Sequence, residues 1–316
     1  MNIVFFGSSS FALPSLKALV TGGYNISCVV TQPDRKRGRG MHVEGTSVKQ
    51  AASEYGLLIH QPQSINSAGQ IKFLKSLNPD LFVVISYGQI LSGEVLAIPK
   101  VFALNSHASI LPEYRGAAPI NWAIINGEKT TGVTIIKMTE KMDAGPIILQ
   151  EKAGIEDSDT AISLQRRLSE VVARLLEKAL ELIEGNDYSS TPQDENKVTF
   201  APKLKKEDGL INWKMRATDI YNLIRGCVGW PGAFTYYKGK LLKIYKASVF
   251  DSSDYPAKRP GEISEVSKKG IIVACLKSNL LIRDLQIEGK KIMSAEEFIA
   301  GHRIKAGEML GKISCM

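Results

Sequence analysis

Four cysteines in 316 residues, none in a CxxC pair or at metal-finger spacing, argue against both a disulfide framework and a thiolate metal site. So few thiols in a chain of this length point to a reducing compartment. No apolar run reaches the roughly 18 residues that a membrane-spanning helix needs. The opening MNIVFFGSSS turns at Gly7 before a signal-peptide core can develop, and no Arg-rich, acid-poor leader is present. A cytoplasmic protein with no membrane partner is therefore expected. Two catalytic signatures are missing as well. GxGxxG fails, because Ser9 and Ala12 stand where its second and third glycines belong, which disfavours a nicotinamide or flavin cofactor. GxSxG is also missing, which disfavours an acyl-enzyme on an activated serine. No internal repeat or low-complexity tract occurs, and 44% hydrophobic with 23% charged residues is too apolar for a disordered chain.

What the sequence does have is an uneven charge. Forty Lys and Arg stand against 32 Asp and Glu, for a net +8. Residues 1–202 hold 19 basic and 20 acidic side chains, whereas residues 203–316 hold 21 and 12. The whole surplus lies in the last third. Such a segment suits a polyphosphate partner, and it equally suits a lysine-rich solubilising surface.

The length predicts two domains. Through residue 184, short apolar strands (2–6, 25–31, 81–87, 101–105, 133–138) alternate with amphipathic helices (11–21, 46–55, 162–183). LFVVISY at 81–87 is nearly all apolar, as a strand covered on both faces requires. The alternation predicts a doubly wound α/β sheet. GNDYSSTPQDENK, at 185–197, is polar and reads as a linker. The expected partition is 1–184, a linker 185–206, and 207–316. In the last part a helix at 217–227 precedes short strands at 233–237, 241–249, 271–274 and 280–285, and Ser294 with Glu297 forms a capping box. This pattern predicts a small barrel or sandwich.

The densest chemistry lies in ALNSHASILPEYRGAAP, at 103–119. Asn105 and His107 are two apart at a predicted strand end, so an extended backbone aims both to one face. Carboxyl ends of strands are where open α/β sheets gather reactive groups. Asp143, before Ala144 and Gly145, is either ordinary turn chemistry or a partner for that pair. An amide, an imidazole and a carboxylate in one crevice would supply an oxyanion donor, a proton shuttle and a tuning group. No second His or Cys stands at ligand spacing, so no metal is expected. DRKRGRGMHV, at 34–43, carries Arg35, Lys36, Arg37 and Arg39. It is either a solvated face or a phosphate grip beside the same sheet edge.

These residues carry a resemblance. Asn105-Ser106-His107, Ser109-Ile110-Leu111-Pro112, Tyr114-Arg115-Gly116-Ala117-Ala118-Pro119 and Met142-Asp143-Ala144-Gly145 resemble the formyltetrahydrofolate-dependent formyltransferases. Thr31-Gln32-Pro33-Asp34-Arg35, Gly38-Arg39-Gly40, Gly132-Val133-Thr134-Ile135, Trp230-Pro231 and Met293-Ser294-Ala295 extend the likeness over essentially the whole chain. It implies a Rossmann-like, mostly parallel catalytic domain and an OB-like β-barrel at 207–316. It implies transfer of formyl from 10-formyltetrahydrofolate to the α-amino group of initiator methionyl-tRNA, by a monomer. A sugar-nucleotide amine is the alternative acceptor. By motif, Asn105, His107 and Asp143 are the catalytic set. Ser109, Ile110, Leu111 and Pro112 line the folate site, with the strand ending at Tyr87 and Gly88. Arg39, with Arg35 and Arg37, meets the tRNA, and Lys203, Lys205, Lys206, Lys238, Lys240 and Lys243 are further phosphate candidates. Ile110 for Leu, Ala144 for Thr and Ser8-Ser9 for Thr-Pro are departures that leave every reacting group in place.

Overall fold

The computed structural model describes residues 1–37, 42–250 and 258–311. Contacts divide the chain into two compact units. The first comprises Met1–Pro119, Thr130–Gly154 and Gln165–Ala201, the second Ile120–Lys129, Ile155–Leu164 and Pro202–Met316. No helix among the described residues is long and apolar enough to cross a membrane.

The chain begins with β1 (Asn2–Gly7), α1 (Leu13–Thr21), β2 (Asn25–Val30), β3 (Arg35–Arg37), β4 (His42–Glu44) and α2 (Ser47–Glu54). There follow β5 (Ile59–His60), α3 (Ala68–Ser76), β6 (Leu81–Ile85), α4 (Gly93–Leu96) and β7 (Phe102–His107). Next come α5 (Pro119–Ile125), β8 (Thr130–Lys137), β9 (Ile147–Gly154) and α6 (Ala161–Glu184). The main sheet runs β5-β2-β1-β6-β7-β8-β9. Pairing is parallel from β5 to β7 and antiparallel from β7 to β9, so the sheet is mixed but mostly parallel.

The apolar strand runs explain this order. Every residue of β6 is buried, as a strand covered on both faces demands. Val4 and Phe6 of β1, Cys28 and Val30 of β2, and Phe82 and Val84 of β6 alternate along their strands into one core. The Phe6 ring stands edge-on to Phe82 at 4.9 Å and to Tyr87 at 5.4 Å. Burying each such side chain contributes about 1.5–3 kcal/mol. Because Gly7 pairs with Ile85 and Val84 with Asn105, β1, β6 and β7 end together at one sheet edge.

The second unit carries α7 (Ala217–Gly226), β10 (Ala233–Tyr237), β11 (Lys240–Phe250) and β12 (Ile263–Ser267). After these come β13 (Gly270–Ala274), β14 (Asn279–Ile287), β15 (Met293–Ser294) and α8 (Ala295–His302). The antiparallel order is β10-β11-β14-β13-β12, with β15 beside β14. Among the described residues no pairing joins β10 to β12, so the sheet is antiparallel without a shown closure. Trp213, Ile220, Leu242, Ile263, Leu285 and Phe298 belong to its core. The expected capping box is formed: the Glu297 amide donates to Ser294 Oγ and the Ser294 amide to Glu297 Oε2.

Candidate active site

Two residues apart near the end of β7, Asn105 and His107 project from the same face of the strand. Asp143 arrives from the connection between β8 and β9, 38 residues beyond Asn105. Asn105 Nδ2 donates to Asp143 Oδ1 at 3.2 Å, and the Gly116 amide donates to Asp143 Oδ2 at 2.9 Å. His107 Nδ1 lies 3.5 Å from the same Oδ2, with both side chains almost wholly buried. The three residues anticipated from the sequence therefore meet.

The ring nitrogens of His107 have distinct surroundings. Nε2 is 2.9 Å from the Tyr114 carbonyl oxygen, which can only accept, so Nε2 carries a hydrogen. Nδ1 is left as the atom that can take up or release a proton, facing the Asp143 carboxylate. When Nδ1 is protonated, the pair attracts at 3.5 Å, beyond the best hydrogen-bond range of about 2.7–3.2 Å. Asn105 has two amide hydrogens, and among the described residues one is committed to Asp143. The other is available to a ligand. The site thus offers a neutral donor and a switchable donor beside one fixed carboxylate.

The loop after β7 is held by backbone bonds from a distant segment. Tyr114 N donates to Thr199 Oγ1, Arg115 N to the Thr199 oxygen, and Ala201 N to the Arg115 oxygen. Gly116 has φ +127, and a Cβ there would lie 2.5 Å from the Ala201 oxygen. Only glycine lets the chain pass here with its amide aimed at Asp143. Arg115, which the sequence offers only within a resembling run, and Gln193, which it does not single out, brace this turn. Arg115 is 6% exposed and binds Gln193 and Glu195, and Gln193 in turn binds the backbone of Asp143. The one available signal is Arg115 itself, since a guanidinium inside an apolar loop needs acceptors from somewhere.

Ser109–Pro112 forms a wall whose polar atoms are largely committed. Ser109 Oγ donates to the Glu113 oxygen at 2.6 Å, while Thr134 Oγ1 donates to the Ser109 oxygen at 2.7 Å. Leu111 N donates to Thr134 Oγ1, and Gln150 Nε2 to the Leu111 oxygen. Ser109 and Leu111 are buried, whereas Ile110 and Pro112 are half-buried and could touch a ligand. Tyr87 points into the core against Phe6, and its buried hydroxyl meets no partner among the described residues. Burial pushes that phenol well above its ordinary pKa. The Tyr87 carbonyl oxygen accepts from Ser8 Oγ at 2.9 Å, and Gly88, at φ +89, is exposed.

Of the basic loop, Arg35 is described, exposed, and donates to Gln32 Oε1 at 2.9 Å. The Arg37 side chain and all of Arg39 lie outside the described residues. Arg35 also borders a cavity of about 280 Å³ at the ends of β1 and β2, with Ser8, Ser9, Gln32, Glu44 and Ser47.

The formyl transferase family model matches residues 1–180, and the formyl transferase C-terminal domain model matches residues 203–303. A methionyl-tRNA formyltransferase of Geobacter metallireducens is 43% identical over 311 residues, covering 98% of this chain and 99% of that protein. One of Thermodesulfovibrio yellowstonii is 45% identical over 306 residues, covering 97% of each. Among solved structures, the sugar 3N-formyl transferase WlaRD, crystallised in the presence of dTDP and 5-N-formyl-THF, aligns with a TM-score of 0.67 at 19% identity. It covers 92% of this chain and 99% of that one, and at that identity the likeness is one of fold.

Proposed function

We propose, for a chain that belongs to the methionyl-tRNA formyltransferases and so formylates methionyl-tRNA, that Asn105, His107 and Asp143 form its catalytic set and 10-formyltetrahydrofolate is its donor. The observation that supports this reading is the convergence of the Asn105 and His107 side chains on the Asp143 carboxylate. The donor supplies the formyl carbonyl that the methionyl amine attacks. Negative charge then builds on the formyl oxygen. The uncommitted Nδ2 hydrogen of Asn105 and a hydrogen on His107 Nδ1 are the donors positioned to receive it, each worth about 100-fold or more in rate. As the bond between the formyl carbon and the folate nitrogen breaks, His107 Nδ1 gives its hydrogen to that departing nitrogen, and it then takes up the proton that the amine nitrogen sheds. Asp143 holds the amide in place and attracts the protonated ring.

The exposed backbone of Gly88 and the half-buried Ile110 and Pro112 suit the flat pterin, with Tyr87 and Leu111 behind them and Ser109 fixing the loop's shape. Arg35, Arg37 and Arg39 are proposed to meet the acceptor end of the tRNA. Residues 1–184 form the catalytic part, 185–206 the connection, and 207–316 the tRNA-binding part, an OB-like barrel in this reading. The enzyme is taken to act as a cytoplasmic monomer on initiator methionyl-tRNA.

One assay tests the donor and the acceptor. Purified protein with 10-formyltetrahydrofolate and methionyl-tRNA should yield N-formylmethionyl-tRNA, and a dTDP-amino sugar in place of the tRNA should yield no product. Formylation of the sugar alone would transfer the chain to the alternative acceptor.

A further inference from the structure

Gln193 lies in the polar segment 185–206, yet its side-chain amide is committed at the reaction centre. Nε2 donates to the backbone oxygens of Asp143 at 2.8 Å and Gly145 at 2.7 Å. Oε1 accepts from Arg115 Nε at 3.1 Å and Nη2 at 2.9 Å. The buried guanidinium completes its set on Glu195, with Nη2 to Oε1 at 2.8 Å and Nη1 to Oε2 at 3.3 Å. Those bonds hold the Glu195 carboxyl below its ordinary pKa.

We infer that Gln193 is the positioning residue that holds Asp143 in its working geometry. The inference rests on the reading of Asp143 as part of the catalytic set. Asp143 has φ +50, in the left-handed region that side chains other than glycine visit at a cost. An unrestrained turn would relax toward commoner dihedrals and swing the carboxylate away from Asn105 and His107. Three side-chain and backbone donors oppose this. Asn105 Nδ2 and Gly116 N–H hold the carboxylate, and Gln193 holds the carbonyl of Asp143 together with that of Gly145. Arg115 precedes Gly116, so the contacts close a ring: Arg115 to Gln193, Gln193 to Asp143, Asp143 to Gly116.

The residue type follows from the partners. Two carbonyl oxygens need N–H donors, and a guanidinium needs an acceptor. Among side chains of this length only the amide of glutamine meets both demands, since Glu cannot donate and Lys cannot accept.

The test is steady-state kinetics of Gln193→Met, Asp143→Ala and the double variant, with thermal unfolding followed in parallel. Gln193→Met keeps the length and removes every hydrogen bond. Turnover is expected to fall about tenfold to a hundredfold, as misplacing a reacting group by an ångström does. KM for both substrates should stay near wild type. A purely structural role would add its loss on top of any other, whereas Gln193→Met should cost nothing further in the Asp143→Ala background. If Gln193→Met does not fold, Gln193→Glu is read the same way, because it keeps an acceptor for Arg115 and loses both donors. Unchanged turnover in a folded Gln193 variant, or an undiminished loss in the double variant, would overturn the inference. Near-normal turnover in Asp143→Ala alone would instead sink the catalytic reading beneath it.

Discussion

A histidine presents two nitrogens to its surroundings, and at position 107 they are bound to different tasks. Nε2 is spent on the Tyr114 carbonyl and Nδ1 faces Asp143, so the proposed mechanism makes Nδ1 the reacting atom. An asparagine amide reaches the place of Nδ1, and a glutamine amide reaches that of Nε2. His107→Asn is therefore expected to retain about tenfold more turnover than His107→Gln, a fraction of what one oxyanion donor supplies. The reverse order, measured at saturating substrates, would make Nε2 the working atom. Asn105 and His107 are legible in the sequence because they stand two apart where an apolar strand ends. Asp143 was legible only as a turn residue awaiting a partner. Gln193 was not legible. It sits 50 residues from Asp143 and 78 from Arg115, in a stretch whose polarity has the signature of any connector.

At the scale of elements, the start of β1 is tied to β6 and its flanks by Asp80. Its Oδ2 accepts from the Asn2 amide at 2.7 Å and its Oδ1 from Lys100 Nζ at 2.8 Å. The Lys100 bond, then that of Asn2, holds this carboxyl below its ordinary pKa. A depressed folded pKa gives stability that is present above the unfolded value and is lost as pH falls through the folded one. Asp80→Asn should thus lower Tm by about 2–4 °C near neutrality, and the gap should close in acid, below about pH 4. A gap that persists unchanged in acid would remove the carboxylate from the account. A second element carries its own constraint. At Gly145 a Cβ would collide with the Lys137 carbonyl oxygen, so Gly145→Ala should destabilise the protein by about 1–3 kcal/mol, read by denaturant unfolding. Buried runs such as 81–85 were easily read as strands, since all five residues are apolar. β9 was not, because IILQEKAG at the sheet edge alternates between half-buried and exposed positions and looks like loop. The helix α3 is hard to read from the sequence for a similar reason: AGQIKFLKS buries only Ile71 and Leu74.

For the whole molecule the decisive quantity is the distribution of charge. The basic surplus confined to residues 203–316 predicts that tRNA affinity falls steeply as salt rises, through release of counterions. Lys203, Lys205, Lys206 and Lys240 are exposed, whereas Lys238 already pairs with Glu308 at 3.0 Å. Replacing Lys203, Lys205 and Lys206 by glutamine should flatten the slope of log Kd against log salt by up to about two or three. An unaltered slope would return those lysines to a solubilising role. The composition of the two units was beyond sequence reading. Segments 120–129 and 155–164 associate with the second unit through contacts far apart along the chain, and no change in polarity marks them. The central claim is that the meeting of Asn105, His107 and Asp143 performs formyl transfer. Its most direct test is the single-turnover rate of N-formylmethionyl-tRNA formation by His107→Ala, with donor and methionyl-tRNA both saturating. The expected result is a folded protein slowed by about 100-fold or more. A folded His107→Ala enzyme that turns over at close to the wild-type rate would contradict it.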